Sequence, residues 1–87
     1  MKAILPLIAT KTIRNITMMV TKEGVSTYET AGVISARMDT KRNLIVIETL
    51  YYTVEFAPTA VRHMEQATDR SVWVGVIGIR EEFQLDY

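Results

Sequence analysis

The sequence predicts an α+β fold: a small antiparallel sheet in the order β-β-β-α-β, with one short helix packed across it and Ala3–Ala9 as a candidate extra N-terminal strand. Three observations carry that expectation. The stretch from Leu44 to Phe56 is dominated by β-branched and aromatic side chains, the composition of a half-buried strand. Apolar and polar residues alternate with period two around Ile16–Val20 and again from Tyr28 to Met38. The connections between these stretches are short and polar, which joins antiparallel neighbours. The long third stretch also suits a sheet curled into a small barrel, and a bent-strand barrel of the SH3-like kind is the sharpest alternative.

Taken in order, Ala3–Thr10 reads as extended or irregular, because Pro6 has no N–H to give to a ladder. The first strand starts near Thr12, with Ile16, Met18 and Val20 on one face and Asn15, Thr17 and Met19 on the other. Lys22-Glu23-Gly24 turns the chain, with Gly24 supplying the positive φ of a short hairpin loop with a bulge. A second strand then runs from Val25 to Met38, and the loop Asp39–Asn43 leads into the third.

Within Leu44–Phe56, Glu48 shares the parity of Leu44, Val46, Leu50, Tyr52, Val54 and Phe56. An uncompensated acid on that apolar face would be costly, so Glu48 is a candidate buried acid. A bend or bulge near Glu48 and Thr49, or a partner such as Arg37 or Arg80, would resolve it. Ala57–Thr68 reads as the helix, from Pro58 at its start and from Ala60, Val61, Met64 and Ala67 at steps of three and four. Asp69-Arg70-Ser71 turns into a final apolar strand, Val72–Arg80, and Glu81–Tyr87 is a strand continuation or a docking tail.

The 87 residues suffice for a single domain, 1–87. There is no Cys, which fits a reducing, cytoplasmic setting and removes disulfides and thiolate metal sites. Lys2 precedes the apolar run Ala3–Ala9, but Pro6 interrupts it and Leu7 with Ala9 makes a poor cleavage site, so no secretory signal and no membrane association are expected. Net charge is zero, divided as +4 over residues 1–42 and −4 over residues 43–87. The bland account is that the two halves pair strands and neutralise each other; an acidic tail or a nucleic-acid-facing half is the sharper one.

No constellation of residues supports catalysis, a metal or a cofactor. The one histidine, His63, has no nucleophile-elbow serine to serve among Ser26, Ser35 and Ser71. One His without Cys excludes the usual zinc sets, and Gly75 and Gly78 form neither a dinucleotide fingerprint nor a P-loop. Two binding functions remain. Tyr28, Tyr51, Tyr52 and Trp73 with Arg14, Arg37, Lys41 and Arg42 are parts that a single-stranded nucleic-acid module would use, although an RNP consensus is absent. The favoured expectation is a non-catalytic protein-binding module that self-associates and occupies a partner's surface, as an accessory subunit or an inhibitor, including the kind viruses aim at host proteins. Its expected anchors are Tyr51, Tyr52, Trp73, Phe83 and Tyr87, residue types that dominate interfaces.

Overall fold

The computed structural model describes residues 3–87; Lys2, set above ahead of the apolar run, lies outside them. Their elements are α1 (Ile4–Thr10), β1 (Asn15–Lys22), β2 (Val25–Asp39), β3 (Leu44–Thr49), β4 (Thr53–Phe56), a 3-10 turn (Pro58–Ala60), β5 (Val61–Thr68), β6 (Ser71–Val76) and β7 (Phe83–Asp86). Among the described residues the seven strands form one antiparallel sheet, ordered β4-β3-β2-β1-β7-β6-β5 and curled into a half-barrel. The inner face holds the core, where Ile4 and Ile8 of α1 meet Ile16, Ile45, Ile47, Phe56, Val74, Phe83 and Leu85.

Helix and strand are exchanged relative to expectation at both ends of the connection. Ile4–Thr10 is the helix, because Pro6 falls in its first turn, where a missing N–H removes no intrahelical bond. Ile4 and Ile8, four residues apart, then share its buried face. Thr10 closes it by donating from Oγ1 to the Pro6 carbonyl at 2.6 Å. Conversely, the expected helix Ala57–Thr68 is a 3-10 turn followed by strand β5. The register of β5 against β6 slips between Val61 and His63, so the extra residue Arg62 lets Val61 and Met64 both face inward. A bulge thus reproduces the three-residue spacing of a helix face.

The long third stretch is two strands. Thr49 N–H donates to the Tyr52 carbonyl at 2.9 Å, and the chain reverses through Leu50 and Tyr51. The Thr49 hydroxyl holds the reversal by accepting from the N–H groups of Tyr51 (3.2 Å) and Tyr52 (3.0 Å) while donating to the Tyr52 carbonyl (2.9 Å). Across the hairpin Ile45 pairs with Phe56 and Ile47 with Val54, so the inward face changes parity at the turn. Glu48 is therefore on the outer face opposite Thr53; its side chain is 38% exposed and paired with Arg37, which makes it a half-exposed structural acid instead of a buried one. Val46, between Arg37 and Glu55 on the same outer face, is buried beside these long side chains.

The first hairpin is as expected in position and tighter in form. Lys22 pairs with Val25, leaving a two-residue turn in which Glu23 and Gly24 both have positive φ, the type I′ geometry whose twist matches antiparallel strands. The expected bend near Glu48 and Thr49 is the Thr49–Tyr52 turn, and opposite it β2 carries a register slip between Val33 and Ser35 that turns Ile34 out to solvent. The last apolar run ends early: Gly78, at φ +90°, makes a turn after Val76, and Phe83–Asp86 returns as β7 between β1 and β6. Glu81–Tyr87 is thus no free tail. A Cβ at Gly75 would stand 3.4 Å from His63 Cβ and Glu82 Cγ, at van der Waals contact.

Candidate interaction surface

The sheet leaves one part of itself without strand neighbours. Pairing of β1 with β7 stops at Thr17, and pairing of β2 with β3 starts at Val33. Among the described residues, Met18–Thr30 is therefore a two-stranded arm that runs beyond the barrel, and Thr21–Thr30 is exposed throughout. Cross-strand side chains hold it where burial does not: Thr17 to Thr30 and Thr21 to Ser26, both 2.8 Å between hydroxyls, with Lys22 near Glu29 at 3.8 Å. Val25 and Tyr28 are 62% and 57% exposed on it.

The inner face of the arm looks across an open cleft of about 610 Å³ at strand β4 and the β6–β7 loop. Met18 and Val20 form one wall, Tyr52 and Val54 the other, and Ile79 the end. The Leu50–Tyr51 turn stands beside it, with these two side chains 79% and 82% exposed. Burial, and after it the Glu29 carboxylate, pushes the Tyr52 phenol above its ordinary pKa.

The five expected anchors are not brought together. Tyr51 is exposed and Tyr52 half-buried at the cleft. Trp73 is half-buried on the outer face, edge-on to Tyr28 with ring centroids 5.9 Å apart. Tyr87 is packed against the core, its hydroxyl accepting from Gln66 at 2.8 Å and its ring 5.9 Å from Lys11 Nζ. Phe83 is removed from the set: it is fully buried, 5.7 Å from the ring of Phe56, because β7 is an interior strand. Val25, Leu50 and Ile79 were missed. The signal for the arm lay in Thr21–Thr30, a strand-forming stretch whose only large apolar residues are Val25 and Tyr28, too few for a buried face.

Several of the charged groups pair with one another. Arg37 bonds Glu48, and Arg42 bonds both Asp39 (2.8 Å) and Glu55. The Arg42 guanidinium, with its own and the Lys41 backbone N–H, holds the Asp39 carboxyl below the usual carboxylate range. Two of these ion pairs join the basic first half of the chain to its acidic second half. His63 lies on β5, exposed, 3.3 Å from Glu65 and 4.0 Å from Glu82, and not on a helix. Among the described residues no group of three His, Cys, Asp or Glu is placed to hold a metal ion, and no helix is long and apolar enough to cross a membrane. Comparison with protein-family models, with curated proteins and with solved structures found no match to the chain.

Proposed function

We propose that this chain is a non-catalytic protein-binding module that self-associates and acts by occupying the surface of a partner protein. The observation that supports it is the apolar cleft between the arm and β4, with the exposed side chains of Leu50 and Tyr51 in the turn beside it. An open concavity of this kind, rimmed by large apolar groups and free of a titratable cluster, suits an apolar segment of another protein better than a reacting small molecule. The nucleic-acid reading has less to stand on, since Arg37 and Arg42 are already bound by carboxylates.

A photo-reactive phenylalanine analogue at Thr53, an exposed position on the cleft wall, tests the reading. In cells that naturally make the chain, irradiation is expected to give one discrete adduct with a second protein. Excess unmodified chain displaces it, and chain carrying Ile79→Asp does not. Adducts with nucleic acid alone, or none beyond those formed from position Thr40, would overturn it. In the companion titration, Trp73 emission is expected to stay unchanged as single-stranded oligonucleotide is added at low salt; quenching that weakens with salt would favour nucleic acid.

A further inference from the structure

We infer that the arm pairs edge to edge with the arm of a second copy, through Val25–Gly32 of β2, about a two-fold axis at Tyr28. The inference rests on the self-association in the reading above and specifies its interface. The first support is the contrast among sheet edges. Edge strand β4 has four residues, and edge strand β5 carries two register slips and the exposed charges Arg62 and Glu65, devices that block strand addition. From Val25 to Gly32 the β2 edge has no Pro, no bulge and a single charge, Glu29. The corresponding edge of β1 is flanked by the β6–β7 loop, where Ile79, Arg80 and Glu81 form a second cleft with Met19. An isolated two-stranded ribbon is marginally stable in water, so a further strand is what this arm lacks.

The second support is register. Val33 N–H donates to the Arg14 carbonyl at 2.9 Å, which sets the phase of the β1–β2 ladder. With the ladder alternating by twos, the backbone groups of Ser26, Tyr28 and Thr30 point away from β1. An antiparallel second copy satisfies them when Tyr28 meets Tyr28 and Ser26 meets Thr30. No like charges then stand opposite each other, because Glu29 faces Thr27.

The third support is shape. In that register the second copy's Val25 lies over Ala31, where an open cavity of about 370 Å³ is walled by Val20, Ala31, Tyr51 and Tyr52, with Thr30 and the Lys22–Glu29 pair at its side. An exposed valine thus enters an unfilled, largely apolar recess, once on each side of the axis. The second copy's turn at Gly24 falls opposite Gly32, one residue before β3 takes up the pairing at Val33, so the vacant length of edge matches the strand that fills it.

The chain has no cysteine, so engineered thiols report this register directly. Residues directly opposite in such a pair have Cα atoms about 5.5 Å apart, within disulfide reach, whereas position 26 lies roughly 13 Å from its own copy. Under mild oxidation Tyr28→Cys is expected to form covalent dimer about tenfold faster than Ser26→Cys, and a mixture of Ser26→Cys with Thr30→Cys to form the heterodimer. The mixture also decides the matter should Tyr28→Cys disturb the fold, which far-ultraviolet circular dichroism reports. Light scattering of the unmodified chain is expected to give twice the monomer mass. A dimeric mass without these cross-links overturns the arm interface and leaves self-association standing. A monomeric mass at the highest soluble concentration overturns both, while the adduct at Thr53 tests partner binding independently.

Discussion

Two antiparallel strand pairs, β6–β7 and the arm of β1–β2, both form regular ladders and end in opposite environments. Val72, Val74, Phe83 and Leu85 are buried in the first, while Thr21–Thr30 is exposed throughout in the second. The difference lies in neighbours. β7 is hydrogen-bonded on both sides and lies in the sheet whose inner face α1 covers, whereas the arm passes beyond the ends of β7 and β3. Strand formation and burial are therefore separate properties: alternation dictates the first, and the lengths of adjacent strands dictate the second. A stretch that is a strand without burial is held by side-chain pairs and is open to added partners.

The comparison is broken if the two regions prove equally costly to disturb. Phe83→Ala is expected to destabilise the chain by about 3–5 kcal/mol, most of what a domain this small has to lose. Val25→Ala, on the exposed arm, is expected to shift the unfolding of the monomer by no more than about 0.5 kcal/mol. Urea unfolding at a concentration low enough to exclude association measures both. Similar losses would place the arm in the cooperative core.

Between these extremes lies the Thr49 turn, which joins β3 to β4 at the edge of the cleft. Thr49→Val keeps the shape and removes the hydroxyl that accepts from the N–H groups of Tyr51 and Tyr52 and donates to the Tyr52 carbonyl. The expected cost is about 1–3 kcal/mol, because Thr49 is buried and nothing else in the turn replaces its oxygen. Amide exchange at Tyr51 and Tyr52 should quicken more than at Val74; uniform quickening would mean that the turn is part of the global unfolding unit.

What was legible in the residues follows the same division. Period two in Ile16–Val20 and in Tyr28–Met38, and the turn residues Glu23-Gly24 and Asp39–Asn43, mark strands and hairpins directly, since each depends on local chemistry. Leu44–Phe56 is strand-forming from end to end, and the hairpin within it is marked by no Gly, Pro or Asn but by the Thr49 hydroxyl, which bonds the backbone of Tyr51 and Tyr52. Val61 and Met64 mimic a helix through a bulge that exists only in the pairing with β6. Pro6 looks like a strand breaker and is a first-turn helix residue, a distinction set by where α1 begins. Phe83 looks like a surface anchor because its place between β1 and β6 is a matter of topology. Of the proposed surface, Tyr51 and Tyr52 were identifiable by type; Val25 and Ile79 needed the three-dimensional arrangement of arm, β4 and loop.

The cleft end of the arm can be read through Tyr52. Its phenol is raised above the ordinary value of 10.0 by burial first and by the Glu29 carboxylate of the arm second. The folded chain thus holds this proton more tightly than the unfolded chain, and the associated stability is present below about pH 10 and lost as pH rises through the folded value. Phenolate absorbance should show a step above the ordinary tyrosine value, and Tyr52→Phe should remove it. Glu29→Gln should lower it by less than half of what unfolding does, because burial is the larger of the two causes.

The smallest expected effect separates the arm from the body most cleanly. Glu23 and Gly24 both carry positive φ, at 52° and 77°, and a type I′ turn favours Asn over Glu at the first of these positions. Glu23→Asn relieves that conformational cost and is expected to stabilise the arm by a few tenths of a kcal/mol. Because Thr21–Thr30 is exposed throughout, the gain should appear as slower exchange of the cross-strand amides Val20 and Thr27 and leave Val74 and Leu85 unchanged. Equal slowing at all four sites would mean that arm and body open together, and the separation of strand formation from burial would then hold for the folded surface but not for its dynamics.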